Sequence, residues 1–424
     1  MLDRRLSRAV APAMILTLAL AACGSDKDEV KKTADNAVAA ASSGVSAAAS
    51  AAGAGDKVVK IGFIAPLSGS LSALGLGMKN AAQLAIDQAN KAGTVKGYKI
   101  VLAAEDDTAK ADVCGQVAAR LASDKQVAAV IGTLNTSVAL QVAPILQKEG
   151  IAMVSPANTG VALTGRDKLE GQKRPFDNYF RVATTDDIQG PFAANYVSND
   201  LKFTKVAVIH DKKAYGQGLA AAFTAQFEKN GGKVVATDTI NPGDTNFSTT
   251  LTKVKTANPE AIYYGGEFPE MSLLSAQAKQ GGLKIPVMGG DGAYDQKYID
   301  TAKADAEGDL ATSVGAPTET LESAKQFVAD YAAGGFKEPF SAYGGQAYDS
   351  ANAIIKAMAV ALEGKDSVTP EVRKAVVEAI SKSDYEGITG KIAFDEFGDT
   401  KTKLLTVYKV AGGKWVAGKS GTFQ

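Results

Sequence analysis

Metal-binding side chains are almost missing from this sequence. Its 424 residues contain one histidine, His210, and two cysteines, Cys23 and Cys114, so a His- or Cys-based metal site lacks ligands. Excess charge is missing too. The 46 basic residues balance 46 acidic ones, and nothing points to nucleic acid or another polyanion as partner. No apolar run is long enough to be a comfortable membrane span. His210 has no evident nucleophile beside it and reads as a buried strand-end histidine rather than a catalytic base. Neither catalysis nor a cofactor is expected. The length allows two or three domains.

What is present begins at the N-terminus. Arg4, Arg5 and Arg8 precede a short apolar run at 9–20, which ends in Leu20-Ala21-Ala22-Cys23-Gly24. This order resembles a bacterial lipoprotein signal over 1–22, with Cys23 as the lipidated first residue after cleavage. Gly24 in place of an aspartate leans, by the same resemblance, towards the outer membrane of a Gram-negative cell. Residues 23–56 are rich in Ala, Ser and Gly without large aromatics, the composition of a tether. Removal of Cys23 into a lipid linkage leaves Cys114 alone, so no disulfide forms within one chain.

From Lys57 the pattern alternates between strand and helix. Strands are expected at 57–65, 98–106, 127–131, 151–154 and 178–183, with helices at 75–91, 112–123, after 135 and at 187–201. Pro144 predicts a kink or a late start in the third of these helices. A second series places strands at 205–210, 234–240, 261–264 and 286–288 and helices at 214–230, 247–257 and 270–280. Leu219, Phe223 and Phe227 recur every four residues, one helical stripe. Helices at 319–333, 343–363 and 370–381 follow, then strands near 388–394, 404–409 and 414–418. Such alternation predicts an α/β fold with parallel sheets flanked by helices, and two series suggest two lobes.

Chemistry gathers where strands end. The strand at 127–131 leads into Gly132-Thr133-Leu134-Asn135-Thr136-Ser137, and that at 151–154 into Ser155-Pro156-Ala157-Asn158-Thr159. In a parallel sheet ligands bind outside the carboxyl ends of the strands, and the N–H groups of a helix start suit an anion. Asn135, Thr136, Ser137, Ala157 and Thr159 therefore fit a carboxylate. Taken alone they read more readily as ordinary caps and turns. In the second series the strand ends carry Tyr215, Glu267 and Asp291, which suit an ammonium group if the lobes face each other; alone, the two acids also read as solvated loop residues. Gly413 to Ser420 matches a phosphate-binding loop literally, but only four residues remain after Ser420 and no helix can follow.

Taken together, several stretches resemble the type I periplasmic substrate-binding proteins, in the leucine/isoleucine/valine-binding branch that serves ABC importers. They are IGFIAPLSG at 61–69, Asp106-Asp107, residues 130–159, HDKKAYGQGLA at 210–220, YYGGEFPEM at 263–271 and FDEFGD at 394–399. The resemblance runs collinearly from Lys57 to the C-terminus. It implies two α/β lobes, 57–184 with 314–401 and 185–313 with 402–424, hinged by crossover strands. It also implies ligand carboxylate at Asn135, Thr136, Ser137, Ala157 and Thr159, a pocket tyrosine at Tyr215 and an acid for the ammonium at Asp291. The sequence departs from the family at Asp291 (a shorter acid), at Glu267 and Leu74 (tyrosines elsewhere) and at Asn135, which occupies a position of the family's disulfide. Glu267 either meets an extra donor on the ligand or helps to hold the ammonium. Leu74 and Phe268 are candidates for an apolar side-chain wall.

The function this implies is an extracytoplasmic receptor for a branched-chain or similar aliphatic amino acid, monomeric, touching the membrane only through its lipid and handing ligand to ABC permease subunits. An amide, urea or aromatic acid on the same fold, or a ligand-sensing role, are the alternatives. Replacing Cys23 with Ala should abolish incorporation of labelled palmitate and release the protein from the membrane fraction. Undiminished label would place the lipid elsewhere.

Overall fold

In this computed structural model, residues 57–167 and 171–423 are described. The signal, Cys23 and the whole tether lie outside them. The first sheet grows from β1 (Lys57–Ala65), α1 (Ser72–Ala92), β2 (Tyr98–Asp106), α2 (Cys114–Ser123), β3 (Val127–Gly132), α3 (Thr136–Lys148), β4 (Ala152–Ser155) and β5 (Tyr179–Arg181). All its pairings are parallel, in the order β2-β1-β3-β4-β5. Its central strands are buried on both faces, which is why β3 reads as an unbroken apolar run rather than an alternating one.

The chain then builds α4 (Asp186–Asn195), β6 (Lys205–His210), α5 (Ala214–Lys229), β7 (Lys233–Thr239), α6 (Ser248–Ala257), β8 (Ala261–Gly265), α7 (Phe268–Gln280), β9 (Val287–Gly289), α8 (Gln296–Ala302) and β10 (Leu310–Ser313). It next supplies α9 (Lys325–Ala333), α10 (Gly344–Ala361), α11 (Pro370–Ser381), a small hairpin of β11 (Asp384–Glu386) and β12 (Lys391–Ala393), and finally β13 (Leu404–Ala411) and β14 (Lys414–Thr422). The second sheet has the order β14-β13-β10-β9-β8-β6-β7, parallel except for the last two strands in the chain. Helices α10 and α11 return to cover β3 and β4, and α10 also packs on α1. The chain thus passes between the two sheet regions three times, after β5, after β10 and before β13.

Most expected elements are present, and the apolar stripe of α5 is buried, with Phe223 stacked on Tyr263 at 3.7 Å between centroids. Several expectations need correction. Helix α3 starts at once after Asn135 and runs through Pro144, so the late start does not occur. The expected helix at 319–333 is two 3₁₀ turns, Thr318–Thr320 and Glu322–Ala324, before α9. The expected strand at 388–394 shrinks to β12. Helix α8 and strand β10 were not expected; the latter is four residues, Leu-Ala-Thr-Ser, without the alternation or apolar run that marks a strand. His210 is half-buried, its Nδ1 accepting the Lys212 N–H. The literal phosphate-loop stretch lies in the β13–β14 hairpin.

The FDEFGD stretch is explained by its contacts. Arg181, at the end of β5, is fully buried. Its Nε donates to Asp399 Oδ1 at 2.6 Å. Arg166 meets the other carboxylate oxygen at 2.5 Å and also Asp395. Burial raises the Asp399 pKa, yet the two guanidinium groups outweigh it and hold the carboxyl below its ordinary range. The depressed value means that this stabilisation is present above about pH 4 and is lost as pH falls through the folded value. Asp399→Ala strands a buried guanidinium and should cost about 3–5 kcal/mol, read as a lowered urea midpoint. Asp366→Ala, which breaks an exposed pair with Lys57, should leave the midpoint in place. Equal effects of the two substitutions would contradict this assignment.

Candidate functional site

The carboxyl ends of β3 and β4 lie side by side, and their turns are stitched together. Ser155 Oγ accepts the N–H groups of Ala157 and Asn158 at 3.1 and 2.8 Å and donates to the Thr133 carbonyl. Asn158 is fully buried and donates to the Leu134 carbonyl at 2.8 Å. Gly160 N–H donates to Thr136 Oγ1 at 3.3 Å. A Cβ at Gly160 would stand 2.3 Å from Thr136 Cγ2, so only glycine lets the two turns approach this closely. Arg181 supports the arrangement from beneath, donating to the carbonyls of Asn158 and Gly160 at 3.2 and 2.8 Å.

One cavity gathers Leu74, Leu134, Asn135, Thr136, Ala157 and Thr159 from the first sheet's side, and Tyr215, Glu267, Asp291 and Gly292 from the second, with Tyr343 from the turn before α10. Seven of the eight expected residues therefore line it. Ser137 does not. It is the second residue of α3, and a helix turns about 100° per residue, carrying its side chain away from that of Thr136. Leu74 lines the cavity as expected, whereas Phe268 is buried in the packing and does not reach it. The cavity is small, about 20 Å³. A larger one, about 520 Å³, lies at the opposite ends of the second sheet's strands beside Tyr196, Phe203, Pro286 and Leu310.

The two sides differ in chemistry. On the first, Thr136 Oγ1 accepts from Gly160 and keeps its O–H to donate, while Thr159 Oγ1 is buried without a partner. Asn135 is the N-cap residue of α3, but its side chain does not cap the helix. Its Nδ2 donates instead to Glu267 Oε1 at 2.6 Å, linking turns that follow different sheets. The N–H groups of the first turn of α3 have no partner within the helix.

On the second side, Asp291 is caged. Its Oδ1 accepts from Tyr215 Oη at 2.8 Å and Gln189 Nε2 at 2.9 Å, and its Oδ2 from Tyr343 Oη at 2.8 Å. Burial pushes its pKa up against these three donors, and the net shift is upward. Asp186 stands behind Thr159, its N–H bonded to the Thr159 carbonyl at 3.0 Å. It is fully buried and its Oδ2 has no partner. Burial, then the charge of Asp291, pushes it well above the carboxylate range, against the nearby Thr159 hydroxyl and the charge of Arg181. Among the described residues neither acid forms an ion pair. Such a pair of carboxylates favours a cation between or beside them.

Glu267 is different. Lys213 Nζ meets its Oε2 at 2.6 Å, so its charge is already balanced. Asp211 lies 3.7 Å from the same ammonium and is pushed up to about 8 by burial and by Glu267. Of the two functions left open for Glu267, holding the ligand ammonium is disfavoured by this pairing.

Asp186, Gln189 and Tyr343 escaped sequence reasoning. Asp186 sits in Thr184-Thr185-Asp186-Asp187, which reads as a helix start with acids in the first turn. Tyr343 precedes a glycine pair at a helix start, and its reach across to Asp291 is not local information. No group of His, Cys, Asp and Glu among the described residues could hold a metal, and no helix among them is long and apolar enough to cross a membrane.

Comparison with known proteins agrees with this architecture. A Leu/Ile/Val-binding protein homologue of Brucella melitensis is 35% identical over 84% of this chain and 93% of its own length. A leucine-binding protein of Thermotoga maritima superposes with a TM-score of 0.75 at 30% identity, covering 85% of this chain and 98% of that one. A branched-chain amino acid transporter substrate-binding protein of Streptococcus pneumoniae, solved in complex with isoleucine, gives a TM-score of 0.75 at 29% identity over 87% and 99%. Residues 58–414 match the family described as periplasmic binding protein. With the two sheets, the crossings and the facing strand ends in place, the chain belongs to the periplasmic binding protein family.

Proposed function

We propose that this protein is the extracytoplasmic receptor of an ABC importer and binds a branched-chain or similar aliphatic amino acid between two closing lobes. The lobes are taken as 57–184 with 314–401, and 185–313 with 402–424, hinged at the three crossings. The observation that carries the reading is the opposition of Thr136, Thr159 and the start of α3 to the buried acid Asp291 around one cavity, with a second buried acid, Asp186, behind Thr159. The first set suits a carboxylate and the second an ammonium, and the relatives bind leucine or isoleucine by their descriptions.

In this reading the ligand carboxylate takes the O–H groups of Thr136 and Thr159 and the free N–H groups of α3. Its ammonium takes Asp291, held in place by Tyr215, Tyr343 and Gln189, with Asp186 behind. Ligand enters when the lobes part and is buried between the two sets of groups when they close. The protein catalyses nothing; it is a monomer that presents its closed form to the permease, tethered by lipid on Cys23 to the outer membrane.

A thermal-shift panel of Leu, Ile, Val, Thr and Ala should raise the melting temperature of ligand-free protein with at least one of them. No response to any aliphatic amino acid would sink the reading. Asp291→Ala should reduce affinity about a hundredfold or more, because it removes a buried charged partner worth several kcal/mol; near-native affinity would show that the ammonium is held elsewhere. Binding an ammonium favours ionised Asp291 and Asp186, whose pKa values burial raises. Affinity should therefore weaken on acidification before the ordinary carboxylate range near pH 4 is reached. Calorimetric titrations at stepped pH test this, and constant affinity down to pH 4 would contradict it.

A further inference from the structure

Asn135 and Glu267, which follow strands of different sheets, touch each other. Asn135 Nδ2 donates to Glu267 Oε1 at 2.6 Å, and Lys213 fixes Glu267 Oε2 at 2.6 Å. Both Asn135 and Glu267 line the cavity and are about 4% exposed, whereas Lys213 lies outside it, on a neighbouring cavity of about 360 Å³. The orientation of the Asn135 amide follows from chemistry. An ionised carboxylate only accepts, so the NH₂ must face Glu267 and Oδ1 must face elsewhere.

That Oδ1 is buried and has no hydrogen-bond partner. Glu267, with about four acceptor sites, has one donor on each oxygen, from Asn135 and Lys213. This corner therefore offers the unpaired Asn135 oxygen, the free acceptor sites of Glu267 and the second Nδ2 hydrogen of Asn135, a set that a hydroxyl can meet both as donor and as acceptor. Lys213, the donor that could have balanced it, is turned to the far face of Glu267 and also approaches Asp211. The remaining wall beside it is apolar, from Leu74 and Leu134. A purely aliphatic side chain buried here leaves the Asn135 oxygen unpaired; one with an O–H or N–H satisfies it.

We propose that Asn135 and Glu267 form a specificity wall that selects, among amino acids of branched-chain size, those whose side chain carries a hydrogen-bond donor. This rests on the amino-acid reading above and narrows it. Lys213 acts as a positioning residue, holding the Glu267 carboxylate so that its free acceptor sites and the amide of Asn135 keep their arrangement. The site thereby discriminates between threonine and valine, which share a shape and differ in one hydroxyl.

Calorimetric titration of refolded, ligand-free protein with threonine and with valine tests this. Threonine should bind at least about tenfold tighter. Equal or tighter binding of valine overturns the specificity wall and leaves the amino-acid receptor intact, whereas no binding of either, or of any other aliphatic amino acid, overturns both. In the double variant Glu267→Leu with Lys213→Met, which removes the buried pair without stranding a charge, the threonine preference should fall several-fold. An unchanged preference in the folded variant would remove Glu267 from the wall. If that variant does not fold, Asn135→Ala removes the unpaired oxygen and should abolish the threonine preference; an unchanged preference overturns the wall.

Discussion

The ion pair of Arg181 with Asp399 is the constraint on which the site rests. Arg181 ends β5, Asp399 lies in the returning chain just before β13, and the two are 218 positions apart. The guanidinium holds Asp399 on one side and on the other donates to the carbonyls of Asn158 and Gly160. Asn158 in turn fixes Leu134, and Gly160 packs on Thr136. A buried pair of this kind contributes little net stability compared with an apolar core, but removing one partner is costly. Its value here is positional. It ties the last crossing of the chain to the turns that present Thr136 and Thr159.

Across the cavity the charge is arranged unequally. Glu267 is neutralised by Lys213, and Asp211 is held up to about 8 beside them. Among the described residues Asp291 and Asp186 form no ion pair, and burial raises both. The second sheet therefore offers one balanced acid, Glu267, and one unbalanced one, Asp291, while Asp186 adds an unpaired carboxyl behind Thr159. Only the unbalanced acid calls for an ammonium. The balanced one joins Asn135 in linking the two sides and shapes the corner that meets the ligand's side chain.

Much of this was legible in the sequence, for physical reasons that can be named. The strand-helix alternation and the four-residue stripe of α5 are local periodicities and survive folding. Turns at strand ends are marked by their own residues, which is why Asn135, Thr136, Thr159, Glu267 and Asp291 could be singled out. Three things were not legible. Ser137 was grouped with its neighbours because spacing along a chain does not show which way a helix turns a side chain. Asp186 is not marked by its sequence, because its burial depends on how α4 packs. The partnership of Asn135 with Glu267 joins residues 132 apart, and nothing local to either residue points to the other.

The central claim is an orientation: carboxylate on the first sheet's turns, ammonium on the acids of the second. A crystal structure of the complex with a bound aliphatic amino acid tests it most directly. The account predicts the ligand's nitrogen within hydrogen-bond distance, about 3 Å, of the Asp291 carboxylate, and its carboxylate on the hydroxyls of Thr136 and Thr159. A ligand bound the other way round, or away from this cavity, would contradict it.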